Sequence, residues 1–243
     1  MHRFHVDTVI EGETLILSDA GQLHHLRDVL RLEPGDEIVI FAGQGEEYFC
    51  SIAGYSQQGV EVSVKSRKKA KGGSLDLTVA CAIPKKNKMD EIVDKLTQLG
   101  VSKVIPMMTE RSVVRLDDGS SEERVGRWKR VAKSAAQQSH RSSVLEILSV
   151  TDVEKVISGA GDYDLKLIAT VIGERRTLAE VLSKAVPRSI LVMIGPEGDF
   201  SEEEVELAVR AGFAPVTLGD LVLRVETAAV AVASFFALAG LHS

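Results

Sequence analysis

A chain of 243 residues, 44% of them hydrophobic, has ample apolar side chain for a core, as one large domain or two small ones. Its formal net charge of −6 argues against a protein that binds nucleic acid by bulk positive charge. Cys50 and Cys81 have no metal-site spacing, the amino end MHRFHV lacks a long apolar segment, and residues 228–241 are too few to span a bilayer, so a reducing cytoplasm is expected.

The first seventy residues are rich in strand signals. Residues 14–17, 37–41, 47–52 and 60–64 read as short strands, with turns at Gly35-Asp36 and Gly43-Gln44-Gly45 and a short helix over 22–30. So many short strands in so little chain predict a small barrel. His24 and His25 are adjacent, so they point in different directions on a helix, and no third ligand stands at a useful spacing; no metal site is expected. Residues 65–74 are basic, contain Gly72-Gly73 and read as a linker, which divides the chain into domains 1–72 and 73–243.

From residue 75 the rhythm changes. Strands at 75–83, 101–107, 165–172, 190–194 and 215–218 alternate with helices at 88–99 and 124–138, one opened by Thr177, one opened by Ser201, and one over 226–241. That alternation predicts a parallel α/β sheet. Thr177 with Glu180, and Ser201 with Glu204, have the spacing of a capping box, and Gly212 suits a helix end. Trp128 shares a helical face with Val125 and Ala132, which marks it as a packing anchor rather than a stacking platform. The last helix is apolar nearly all round and is expected to be buried.

Two strand–loop–helix units follow one another, with loops at 195–200 and 219–227. In an open parallel sheet such loops gather at the carboxyl ends of the strands, where ligands bind. Gly195, Gly198 and Gly219 allow close backbone approach or positive φ, although glycines in plain turns would look the same. Neither phosphate-cradling glycine motif is present, so a ligand held there need not carry phosphates. Basic residues cluster despite the net charge: at 65–71, at Lys85, Lys86 and Lys88, and at 124–141, which holds six Arg and Lys and no acid. Such patches can bind RNA on an acidic protein, and each is equally consistent with a solvated face.

The run 194–200, IGPEGDF, followed by 218–228, LGDLVLRVETA, resembles the bacterial ribosomal RNA small-subunit methyltransferase E family, one of the SPOUT methyltransferases. Residues 95–101, Thr109-Glu110-Arg111-Ser112 and 135–141 resemble further motifs of that family in order, and His24-His25-Leu26, Val29-Leu30-Arg31 and Gly35-Asp36 resemble its amino-terminal PUA-like domain. The chain differs from the usual pattern at Leu221, where Arg is usual, at Val225, where Thr is usual, and at Gln98, where Glu is common.

The resemblance implies a PUA-like β-barrel, 1–72, followed by a SPOUT α/β domain, 73–243, with a trefoil knot that no periodicity would propose. It implies S-adenosylmethionine as cofactor, a uridine N3 in 16S ribosomal RNA of the small subunit as methyl acceptor, and a homodimer. The apolar last helix and the small residues Ala132, Ala135 and Ala136 agree with close helix contact in such a dimer. Expected cofactor residues are Gly195, Pro196, Glu197, Gly198, Leu218, Gly219, Leu221, Leu223, Thr227 and Ala228, with Thr170 at the end of its strand. Arg224 is the expected cation beside the developing imide anion. Glu226 is either the base or a first-turn carboxylate in a structural ion pair. Lys68, Lys69, Lys85, Lys86, Arg111, Gln138, Ser139 and Arg141 are the expected RNA contacts. Two other readings stand beside this one: an RNA-binding module without catalysis, and a SPOUT enzyme with another RNA target. A nucleotide hydrolase is disfavoured by the missing phosphate motifs.

Overall fold

The computed structural model describes residues 1–6, 10–42, 45–69, 75–112, 114, 117–182 and 187–239, with backbone only at 69 and 118. The chain forms two compact units, Met1–Gly72 with Ala136–Val144, and Gly73–Ala135 with Leu145–Ser243. The division suggested by the sequence, 1–72 and 73–243, lacks the excursion at Ala136–Val144. A side-chain contact explains where that segment goes: the Ser142 hydroxyl donates to Glu47 Oε1 at 2.6 Å. Arg3 donates to the same carboxylate at 2.5 Å. Burial opposes ionisation of Glu47, but these hydrogen bonds and the charges of Arg3 and Lys68 hold its carboxyl below the usual range.

The first unit is a five-stranded sheet in the order β1-β3-β4-β5-β2, built from β1 (His2–Val6), β2 (Thr14–Leu17), β3 (Glu37–Ala42), β4 (Glu46–Tyr55) and β5 (Val60–Lys69). Only β1 and β3 pair parallel; the other ladders are antiparallel. Among the described residues no ladder joins β1 to β2, so the hydrogen bonds do not close the expected barrel. Its core is Phe4, Leu17, Leu26, Ile38, Ile40, Tyr48 and Ile52 with their neighbours. The expected helix at 22–30 divides into α1 (Ala20–His24) and a π-helical turn, His25–Val29.

Residues 65–69 are strand rather than linker. The ten-residue β4 offers β5 a partner along its whole length, with Phe49 opposite Ser66, Tyr48 opposite Arg67 and Glu47 opposite Lys68. The last of these is an opposite-charge cross-strand pair, which favours that register. Arg67 reaches back to the carbonyls of Glu11 and Gly12 at 3.0 and 2.8 Å. The rest of the expected linker, 70–74, lies outside the described residues, as do 43–44 of the expected turn.

The second unit is an eight-stranded, wholly parallel sheet. Its strands are β6 (Asp76–Ala82), β7 (Lys103–Met108), β8 (Glu146–Ile147), β9 (Thr151–Asp152), β10 (Leu165–Ala169), β11 (Arg176–Thr177), β12 (Ser189–Ile194) and β13 (Ala214–Thr217). Their order is β11-β13-β10-β12-β6-β7-β8, with β9 also on β7. Helices α2 (Lys88–Gln98), α3 (Asp118–Gln138), α4 (Val153–Ser158), α5 (Leu178–Leu182), α6 (Glu202–Arg210) and α7 (Val225–Leu238) connect them. Central strands buried on both faces read as unbroken apolar runs, as in ILVMI of β12. Leu191 and Met193 of β12 join Phe200, Val205, Ala208 and Phe213 in one core layer that includes α4 and α6. Helices α2 and α7 pack together, and α7 lies against β6 and β12.

Local signals act where expected. Ser201 caps α6 by accepting from Glu204 N at 3.3 Å, and the Glu204 carboxylate in turn accepts from Ser201 N at 2.8 Å. Gly212 ends that helix at φ +87°, a conformation costly for other residues. Trp128 is buried, as a packing anchor should be.

Two expectations about helices change. Helix α7 is covered on one face only: Val225, Ala228, Ala229, Val232, Ala233 and Phe236 are buried, whereas Ala231 is exposed and Leu238 is 87% exposed. Conversely, Ala132, Ala135 and Ala136 of α3 are already buried within one chain and offer no free face.

Candidate active site

Three loops meet at one end of the sheet because three strands end level there. Ala169 of β10 pairs with Ile194 of β12 and with Val216 of β13, so the loops at 170–175, 195–200 and 218–224 leave the sheet side by side. They enclose a cavity of about 240 Å³. Thr170, Gly195, Pro196, Glu197, Gly198, Leu218, Gly219, Leu221, Leu223 and Ala228 all line it. Thr227 does not; Val225 and Ala228 turn inward from the first turn of α7, which leaves Thr227 exposed. Val171, Asp199, Thr217, Val222 and Val225 also line it and are not among the expected cofactor residues. Leu221 and Val222 stand at the mouth, 80% and 76% exposed.

The loop at 195–200 is braced from several sides. Phe200 is fully buried and anchors it in the core. Asp199, at φ +58°, donates its N–H to Pro196 O at 2.9 Å. Its carboxylate accepts from Thr170 Oγ1 and Val171 N, both at 2.8 Å, and from Phe200 N at 2.9 Å. Arg111 Nη1 donates to Gly198 O and Phe200 O, each at 3.0 Å. Glu110 N donates to Glu204 Oε1 at 2.8 Å, which ties the 109–112 turn to the start of α6. The fold asks different things of the three glycines. A Cβ at Gly195 would lie 3.0 Å from two ring carbons of Phe200, so its missing side chain makes room for that ring. Only Gly219, at φ +119°, takes a conformation that itself calls for glycine.

The lining is mostly apolar side chain and loop backbone, and among the described residues its charged members are the carboxylates of Glu197 and Asp199. That suits a neutral or cationic ligand held by backbone groups and disfavours a phosphate. A larger hollow of about 730 Å³ adjoins it, sharing Val171, Thr217, Gly219, Leu221 and Val222 and adding Glu174 and Arg175. Cys81, beside Ile194 in the ladder, is no nucleophile. Burial first, then the charges of Glu226 and Glu197, push its thiol up to about 12.

Arg224 and Glu226 do not line the cavity. Leu223 and Val225 do, and Arg224 between them has extended backbone (φ −67°, ψ 155°), so its side chain leaves on the opposite side, into solvent. Glu226, its side chain 15% exposed, faces Lys88 Nζ of α2 at 3.5 Å. Its ion-pair partner is thus Lys88, which also bonds Glu91 at 2.8 Å.

The expected RNA contacts fall in different places. Lys68, Lys85 and Lys86 are exposed, while the side chain of Lys69 lies outside the described residues. Arg111 belongs to the second unit and spends a guanidinium nitrogen on the 195–200 loop. Gln138, Ser139 and Arg141 belong with the first unit. Gln138 is exposed, and Arg141 is half-buried with its Nε on Ser143 Oγ at 3.0 Å. Burial pushes the Arg141 guanidinium down to about 10, which still leaves it charged at neutral pH.

The family described as RNA methyltransferase domain matches residues 71–237, and that described as RNA methyltransferase PUA domain matches 17–65. The ribosomal RNA small subunit methyltransferase E of Bacillus subtilis is 30% identical over 214 residues, covering 85% of this chain and 83% of its own. That of Synechocystis is 31% identical over 221 residues, covering 89% and 70%. The structure of a ribosomal RNA small subunit methyltransferase E from Neisseria gonorrhoeae bound to S-adenosyl methionine superposes with a TM-score of 0.87 at 29% identity, over 98% of both chains. Among the described residues no helix is long and apolar enough to cross a membrane. Two matched domains in sequence, and relatives of one name aligned along most of their length, lead to one assignment: this chain belongs to the ribosomal RNA small-subunit methyltransferase E family.

Proposed function

We propose that the chain methylates N3 of a uridine in 16S ribosomal RNA of the small subunit, in the cytoplasm, with S-adenosylmethionine held in the 240 Å³ cavity. The observation that carries the reading is the cavity's chemistry: loop backbone and apolar walls for an adenosine, and, among the described residues, carboxylates but no Lys or Arg in its lining for a ligand that bears positive charge. Gly195 to Gly198 and Leu218 to Leu223 would hold the cofactor through backbone groups, with Leu221, Leu223 and Ala228 as apolar contacts. When bound, the cofactor supplies a methyl carbon made electrophilic by its sulfonium.

The nitrogen lone pair of uridine N3 becomes available only when its imide proton leaves. Arg224, exposed beside the lining residue Leu223, offers a permanent cation to the anion that develops. The ion pair with Lys88 supports an anchoring role for Glu226 at the start of α7, with the imide proton passing to solvent. Arg175, in the adjoining hollow, offers a further cation to the RNA backbone. Single-turnover methylation of small-subunit particles, followed by digestion and mass spectrometry, is expected to yield 3-methyluridine. Methylation of another base or of ribose would overturn the acceptor.

The trefoil knot belongs to the same proposal. The strand order supports it: β13 lies between β10 and β11, so the earlier connection at 170–175 spans a position that later chain fills. A homodimer is proposed as well. Exposed Ala231 and Leu238, with the half-buried Val230 and Phe235, form an apolar stripe along α7 that a second copy would cover. Light scattering at micromolar concentration is expected to give twice the chain mass, and Leu238→Asp to shift it toward the monomer. A monomeric mass for the parent defeats the dimer.

A further inference from the structure

Asp199 joins two walls of the cavity that come from different strands. Its Oδ2 takes Thr170 Oγ1 and Val171 N from the loop after β10, and its Oδ1 takes Phe200 N in its own loop after β12. Thr170 Oγ1 in turn accepts from Ile172 N at 3.1 Å, which extends the bridge one residue further along the 170–175 loop. The bridge is charge-assisted and sits where the backbone is left-handed, at φ +58°, a conformation that Asp and Asn tolerate better than most residues and glycine adopts freely. A residue that needed only to turn the chain there would not also require a carboxylate.

Resting on the reading of the cavity as the cofactor site, we propose that Asp199 is a positioning residue that sets the width of that cavity by tying the 170–175 loop to the 195–200 loop. It acts on cofactor affinity, not on the reacting atoms. Asp199→Gly removes the carboxylate without straining the backbone. Asp199→Asn keeps one acceptor oxygen for Thr170 and Val171 but sets an amide donor against Phe200 N, so it restores the bridge only in part.

The test combines calorimetry with S-adenosylmethionine and amide hydrogen exchange without cofactor, on parent, Asp199→Gly and Asp199→Asn. Asp199→Gly is expected to weaken cofactor binding by roughly tenfold, the scale of a lost charge-assisted hydrogen bond. Its KM for S-adenosylmethionine should rise by more than its kcat falls, since the bridge acts through binding. Asp199→Asn should fall between. Val171 N–H should exchange faster in Asp199→Gly while amides of β6 and β12 keep their protection. Parent-like affinity in Asp199→Gly overturns the proposal, as does unchanged exchange at Val171 or a general loss of protection across the sheet. A parent that binds no S-adenosylmethionine removes the cavity's assignment instead, and the exchange arm still decides whether the bridge holds the loops together.

Discussion

Arg224→Ala is expected to keep the fold and most of the cofactor affinity, yet lose roughly a hundredfold or more in single-turnover methylation. The residue is solvent-exposed and caps α7 without a side-chain hydrogen bond, so truncation removes little packing. Its neighbours Leu223 and Val225 form cavity wall, while its own side chain stands in solvent, where on the proposed reading it meets the uridine of an incoming RNA. A permanent cation beside a developing anion is worth most in the transition state, so turnover should suffer rather than binding. Lysine in its place should recover part of the rate, having the charge but not the planar fork. Full activity in folded Arg224→Ala would remove Arg224 from the chemistry. Glu226→Gln is the companion measurement. Bound to Lys88 at 3.5 Å and outside the cavity lining, Glu226 should be replaceable with a nearly normal rate and a small loss of stability. A rate loss as large as that of Arg224→Ala would instead make it the base.

Gly195→Val should be the most damaging single change to the cofactor site. The first added carbon would already sit 3.0 Å from the Phe200 ring and 3.3 Å from Phe200 N. Phe200 is fully buried, so the ring cannot swing out without forfeiting burial worth about 1.5–3 kcal/mol. Overpacking of this kind costs about 1–3 kcal/mol, which lowers Tm by several degrees, ~2–4 °C per kcal/mol in a domain of this size. The displaced loop also carries Asp199 and the carbonyls that Arg111 holds, so affinity for S-adenosylmethionine should be lost with it. Gly198→Ala is the matched control: a Cβ there meets only Arg111 side-chain carbons at 3.7 Å, an ordinary contact, and both Tm and affinity should stay close to the parent. Thermal unfolding and calorimetry on the two variants check the pair of expectations. A Gly195→Val protein with parent-like Tm would mean the ring yields freely, and unchanged affinity would place the cofactor elsewhere.

Much of the architecture is legible in the sequence because it is set by near neighbours. The alternation of strands and helices from residue 75, the Ser201–Glu204 capping box and the glycine that ends α6 all depend on residues a few positions apart. Two of the loops that line the cavity, 195–200 and 218–224, are legible for the same reason, whereas the third was hidden in an expected strand at 165–172 that ends at Ala169. Misreadings came where a distant partner overrode local composition. A basic, glycine-flanked stretch suggested a linker, but β4 was long enough to pair with it through Lys69. Helix α7 looked uniformly apolar, yet a single sheet face can cover only one side of it.

By itself, then, the sequence determined the two-part α/β character, the family motifs and the strand-end loops, because backbone propensity, capping and periodicity are short-range. Tertiary structure alone decided strand order, and with it which loops became neighbours. Backbone ladders carry no record of which strands pair, so nothing local announces that β13 enters between β10 and β11. That insertion belongs to the arrangement in which Asp199 meets Thr170 from 29 residues away and Arg111 meets Gly198 from 87. Such contacts fix side-chain roles only once the chain has folded, which is why Arg111 reads as an RNA contact in sequence and stands as a brace of the cavity in space.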